Sequence, residues 1–97
     1  MHKVLFKHEN EGGTTTVTLE LRDDGSLQVF YHDIGRDAQR VFGDSDYEAW
    51  LTIPASEVPK LAFALVADRY GIEAGVITAV KDFCNAQGVA CDFGNYA

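Results

Sequence analysis

Three histidines, two cysteines and a surplus of carboxylates are the chemically capable side chains of this sequence, and their spacing decides what they can do. His2 and His8 suggest a metal pair. Six residues of strand span roughly 20 Å, however, so one ion cannot bridge them unless the chain bends sharply. Cys84 falls on an apolar helical stripe with Val80, and Cys91 alternates with Val89 and Phe93. Both read as reduced, buried, inert thiols, because no basic neighbour in sequence would stabilise a thiolate. The run Asp44-Ser45-Asp46-Tyr47-Glu48 begins like a calcium loop. That loop needs Gly at its sixth position and Glu at its twelfth, where this chain has Ala49 and Ala55. His32 precedes Asp33, but adjacent strand residues point to opposite faces and cannot simply hydrogen-bond there.

No nucleophile is tied to these groups. Ser26 lies in a hairpin, Ser56 reads as a helix cap, and Ser45 lacks a G-x-S-x-G elbow. There is no phosphate-binding glycine loop either. The expectation is a protein that is not an enzyme, with no catalytic residue, no metal and no cofactor. What remains is a concentration of carboxylates, Asp33, Asp37, Asp44, Asp46 and Glu48, tempered by Arg36 and Arg40. It reads as a solvated loop with local Arg–Asp pairs, as a patch that faces a partner, or as an acid/base or metal site.

The elements that must position these residues follow from periodicity. Residues 3–8 read as a short strand. Residues 14–22 alternate, with Val17, Leu19 and Leu21 on one face and Thr and Glu on the other, which marks a half-buried strand. A two-residue Asp24-Gly25 turn would put Gln28 and His32 on the apolar face. A three-residue loop, Asp23-Asp24-Gly25 with Gly25 left-handed, instead sets Leu21 against Leu27, Leu19 against Val29 and Val17 against Tyr31. A one-residue slip inverts every side chain, so the continuous apolar face selects the three-residue loop.

Residues 33–45 hold two glycines and read as a loop with a helical turn near 37–41. Residues 46–53 form a fourth strand, which Pro54 ends. Ser56 then caps a helix that admits Pro59 in its first turn and ends at about Tyr70 before Gly71. A second helix is expected over about 72–87, stopped by Gly88, followed by a fifth strand through Val89, Cys91 and Phe93. The order ββββααβ predicts an α+β fold, an antiparallel four- to five-stranded sheet with two helices packed on one face. The first helix has a stripe of Val58, Leu61, Ala62, Leu65 and Val66 that Phe63 and Tyr70 widen, and packing against the second helix would absorb the excess.

On this register Phe30 and Trp50 fall on the wet face of the sheet. Either Val41 and Phe42 fold back over them, or they form an interaction surface beside the carboxylates.

The chain has 97 residues, 46% of them apolar, as expected for one globular domain over 1–97. Fifteen acidic against eight basic residues give a net charge of −7, with the Lys and Arg scattered. Such a surface argues against direct nucleic-acid and membrane binding and favours a basic protein partner. No apolar run approaches the roughly 20 residues of a membrane helix, and the N-terminus lacks a signal-peptide pattern, so a soluble cytoplasmic protein is expected.

The stretch from Asp33 to Leu65, GDSDYEAWLTIP followed by an amphipathic helix, resembles small acidic bacterial and phage proteins of the immunity and inhibitor type. The resemblance covers about a third of the chain and carries over no functional residues. It implies a non-catalytic protein that binds another protein. The leading expectation, motivated by the −7 charge, the carboxylates of residues 33–48 and Trp50, is a non-catalytic inhibitor or immunity-type module that engages a basic, nucleic-acid-handling protein. Its contact residues would be Asp33, Asp37, Asp44, Asp46, Glu48, Trp50 and Phe30. A homodimeric structural or regulatory domain is the second reading. A small enzyme or ligand-binding domain centred on His32, Asp33, Asp46 and Glu48 is the third.

Overall fold

Alternating Thr and aliphatic residues from Gly13 to Leu21, and β-branched and aromatic residues from Leu27 to Ile34, favour extended backbone because they pack well across a pleated surface. In the computed structural model of the chain they form the two central strands of a four-stranded antiparallel sheet. The structure describes residues 1–72 and 74–96. The strands are β1 (His2–Asn10), β2 (Gly13–Leu21), β3 (Leu27–Ile34) and β4 (Asp46–Ile53), joined in sequence order across the sheet. The helices are α1 (Arg36–Phe42), α2 (Val58–Tyr70) and α3 (Val76–Gln87), so the fold is α+β. The chain divides into two compact units, Met1–Pro59 and Lys60–Ala97.

In the first unit the β2–β3 hairpin has the register that continuity of the apolar face requires. Leu21 pairs with Leu27, Leu19 with Val29 and Val17 with Tyr31. The loop is closed by a 2.9 Å bond from the Arg22 amide to the Ser26 carbonyl. Gly25 takes φ 87°, the conformation a side chain resists. Asp24 completes the turn by accepting bonds from the Ser26 amide at 2.8 Å and the Ser26 hydroxyl at 2.6 Å. Those two bonds hold the Asp24 carboxyl below its ordinary range.

Pairing of β3 with β4 continues the same two faces. Val29 meets Leu51 and Tyr31 meets Ala49 on the aliphatic face, while Phe30 meets Trp50 and His32 meets Glu48 on the opposite one. At the other side of the sheet β1 is longer than its 3–8 expectation. A bulge at Leu5 shifts its register between Val4 and Phe6. The bulge places His2 opposite Glu20 and His8 opposite Thr15, on opposite faces of the sheet.

The segment 33–45 holds more order than its glycines suggest. Residues 36–42 form a full two-turn helix, α1, bounded by Gly35 at φ 125° and Gly43 at φ 79°. Phe42 stacks on Tyr47 with ring centroids 3.9 Å apart, and Ala38 is fully buried. Tyr47 pairs with Asp33 on the aliphatic face. Phe42 therefore packs on the Tyr47 end of the aliphatic face and leaves Trp50, on the other side, uncovered by this loop.

After Pro54 a 3₁₀ turn over Ala55–Glu57 leads into α2. Ser56 sits inside that turn, so the expected Ser56 cap is not the helix entry. Proline pre-sets the backbone there, and Pro59 lies in the first turn of α2, where its missing N–H costs nothing.

In the second unit α3 starts at Val76, after turns at 71–72 and 74–75, with position 73 outside the described residues. Gly88, at φ 70°, ends it, and its amide bonds the Asn85 carbonyl at 3.3 Å. Ala62, Leu65 and Val66 of α2 line an apolar groove with Val80, Phe83 and Cys84 of α3. Arg69 bridges the two helices by lying 5.8 Å from the Phe83 ring centre and 5.4 Å from that of Tyr70. Of the two residues that widen the α2 arc, Tyr70 lines this groove and Phe63 faces solvent.

The expected fifth strand does not form: residues 89–93 join no sheet. Alternation of three apolar residues is too weak a signal without a partner strand to pair with. Cys91 is consequently exposed, not buried, whereas Cys84 is half-buried. Partial burial, then the neighbouring Cys91 thiol, push the Cys84 thiol above its ordinary value. In the native protein, Cys91 should be labelled by a disulfide reagent well before Cys84, and denaturant should abolish the lag. Equal native rates, read separately from Cys84→Ser and Cys91→Ser, would show that the difference in environment has no chemical effect.

Candidate functional site

Strand pairing converts the scattered carboxylates into two separate groups. On the face opposite the aliphatic one, His32 and Glu48 are directly paired across β3 and β4, and Asp46 is two residues further along β4. Residues i and i+2 of a strand share a face, and direct cross-strand neighbours lie about 5 Å apart, so the three side chains converge. His32 Nε2 is 2.6 Å from Asp46 Oδ1 and 3.7 Å from Glu48 Oε1. With Asp46 ionised, the short contact is a hydrogen bond donated by the Nε2–H form of the imidazole. His32 is half-buried while Asp46 and Glu48 are exposed.

Two further contacts fix this corner. The Phe30 ring lies 6.0 Å from that of His32, tilted by 54°. Asp44 accepts a 3.0 Å bond from the Asp46 amide, which sets the start of β4. Trp50 follows Glu48 on the same face, paired with Phe30, and is 64% exposed. Gln28 donates to the Thr52 hydroxyl at 3.3 Å and closes the row. The surface thus grades from carboxylates at one end, through an imidazole and two aromatics, to neutral polar groups.

Asp33 and Asp37 do not join it. Asp33 points to the aliphatic face, is only 8% exposed, and accepts hydrogen bonds from the Thr15 hydroxyl at 3.1 Å and the Tyr31 hydroxyl at 3.2 Å. Its place is structural, beneath α1, and the expectation of one patch containing Asp33 is corrected accordingly. Asp37 sits against the β1–β2 turn, where its amide bonds the Gly12 carbonyl at 2.9 Å and Arg40 approaches its carboxylate to 4.0 Å. There the local Arg–Asp pairing is realised. Arg36 donates to the Glu11 carbonyl at 3.0 Å in the same corner.

Of the four residues grouped in the third reading, the fold brings His32, Asp46 and Glu48 together and turns Asp33 to the other face. The signal that identifies this cluster is the β3–β4 register, which the intervening segment 35–45 conceals. Among the described residues, none of the helices is long and apolar enough to cross a membrane. Comparison of the chain with protein-family models, curated proteins and solved structures finds no match.

Proposed function

We propose that this chain is a non-catalytic binding module of the inhibitor or immunity type, and that it engages a basic, nucleic-acid-handling protein through the β3–β4 face. The observation that supports this reading is Trp50. A tryptophan that is 64% exposed beside Glu48 and Asp46, on a chain of net charge −7, offers a large apolar anchor inside an acidic rim. Interfaces concentrate their energy in such anchors and use the surrounding charge for steering and specificity.

The two components should separate kinetically. With a basic partner isolated on the immobilised protein, Asp44→Lys together with Asp46→Lys should slow association and flatten its salt dependence. Trp50→Ala should speed dissociation, by roughly 30-fold if the anchor contributes about 2 kcal/mol. Long-range attraction acts before contact, while buried aromatic area is felt only after it. Unfolding of Trp50→Ala, or unchanged dissociation, would remove the basis for this surface.

The homodimeric reading draws on a different feature. On the aliphatic face Phe6 is 53% and Leu51 63% exposed. A second copy covering that face would appear as a dimer in sedimentation, and Leu51→Glu would return it to monomer.

A further inference from the structure

We infer that His32, Asp46 and Glu48 form a site for a divalent first-row transition ion of the zinc type, independent of whether the same face binds a protein. The donor set is mixed, one imidazole and two carboxylates, and its ligand atoms all lie within 4.8 Å of one another. An ion with donors at about 2.0–2.2 Å holds them roughly 3–3.6 Å apart. The 2.6 Å contact has to open slightly and the longest separation to close. Both carboxylates sit on exposed side chains, so a turn about their side-chain bonds supplies that change.

The backbone supplies the rest. Two adjacent strands of one ladder present the three donors, one from β3 and two from β4 at i and i+2. Such a frame places ligands more firmly than a loop would. The Phe30 ring beside His32 restricts the imidazole.

Charge points the same way. Asp46 and Glu48 converge on one imidazole. Two carboxylates this close repel, and an ion between them turns the repulsion into ligation. On ion binding, the Nε2 proton that bonds Asp46 is given up to solvent while Nδ1 carries the ring's one remaining proton, and the freed Nε2 lone pair ligates. Imidazole disfavours calcium and magnesium, which prefer all-oxygen shells, so the class is zinc, cobalt, nickel or manganese. Three protein donors leave one or more positions for water.

Titration calorimetry of the full chain with zinc chloride, and separately with cobalt chloride, should show one ion per chain. His32→Ala should weaken binding by more than about tenfold, and Asp46→Asn and Glu48→Gln should each weaken it as well. His2→Ala with His8→Ala, and Cys84→Ser with Cys91→Ser, should leave the affinity unchanged. A readout that needs no variant is manganese chloride added in substoichiometric amounts to labelled wild-type protein. Amide signals of residues 30–34 and 46–50 should broaden first. Absence of both heat and broadening would overturn the site, as would binding lost with the cysteine or His2 and His8 variants instead of with His32→Ala.

Discussion

Gly13→Ala destabilises the sheet unit by about 3 kcal/mol or more, whereas Gly43→Ala costs only about 1 kcal/mol. Both glycines have positive φ, but 79° lies near the left-handed well that other residues enter and 137° lies outside it. Space widens the difference. A Cβ on Gly13 would run into the Ile34 carbonyl oxygen and come within 3.1 Å of the Gly35 Cα, while a Cβ on Gly43 meets nothing within 4 Å. The contact is reciprocal, since a Cβ on Gly35 would lie 2.5 Å from the Gly12 carbonyl oxygen and 2.6 Å from the Gly13 Cα. The β1–β2 turn and the end of β3 thus meet backbone to backbone, and neither side can yield by rotating a side chain. Urea denaturation reads the effect as a lowered midpoint at unchanged slope. Equal midpoints for Gly13→Ala and Gly43→Ala would mean that the two segments do not touch as described.

Asp33→Ala should cost about 3 kcal/mol and should also change how Tyr31 titrates. The carboxylate accepts from Thr15 and Tyr31, and hydrogen bonds to a charged group contribute roughly 1.5–3 kcal/mol each. At 3.1 and 3.2 Å both are long for hydroxyl donors, so the lower end applies to each. The Tyr31 phenol is pushed above its ordinary value, first by partial burial and then by the charge of Asp33 and the bond to it. A phenol with a raised folded-state value ionises first in the unfolded chain. Its contribution to stability is complete below about pH 10 and is lost as pH rises through the folded value. In Asp33→Asn the charge is gone and one acceptor oxygen remains. Tyrosinate absorbance should then appear at lower pH than in the wild type, with a smaller loss of stability than in Asp33→Ala. An unaltered alkaline titration would show that Asp33 and Tyr31 are not coupled.

The hairpin was legible because a two-residue period leaves no freedom. Once Val17, Leu19 and Leu21 share a face, one loop length gives them apolar partners, and the same reasoning locates Phe30 and Trp50 on the other face. The 33–45 segment was legible only as a helical turn near 37–41, which the structure extends to the 36–42 helix. A seven-residue helix has little intrinsic stability, and α1 depends on Phe42 stacking on Tyr47 and on Asp37 meeting the Gly12 carbonyl, which are contacts made by distant residues. The role of Asp33 was hidden too. Residue 33 reads in the sequence as the start of a loop, but β3 runs on to Ile34, so Asp33 shares the aliphatic face with Tyr31 and meets Thr15 across the strand pair. The His32 cluster lay between these cases. Each residue was visible, but their convergence needs the β3–β4 register, and an eleven-residue connection, 35–45, leaves that register open. At 89–93 the period-two pattern misled, since alternation states what a strand would bury and not that a neighbour exists.

The linear strand order leaves β1 and β4 as the sheet's two edges. An edge is a template for self-propagating stacking, and DYEAWLTI has the apolar and aromatic content that such stacking favours. The two edges are blunted by different means. On β1 the bulge at Leu5 breaks the ladder, and Lys3 and Lys7 flank the break. On β4 the flank is electrostatic, because in-register stacking of one β4 on another would set Asp46 against Asp46 and Glu48 against Glu48. A cation seated between those carboxylates would cancel that repulsion. The ion concentration that fills the His32 site would then also set the tendency of the chain to polymerise along its β4 edge.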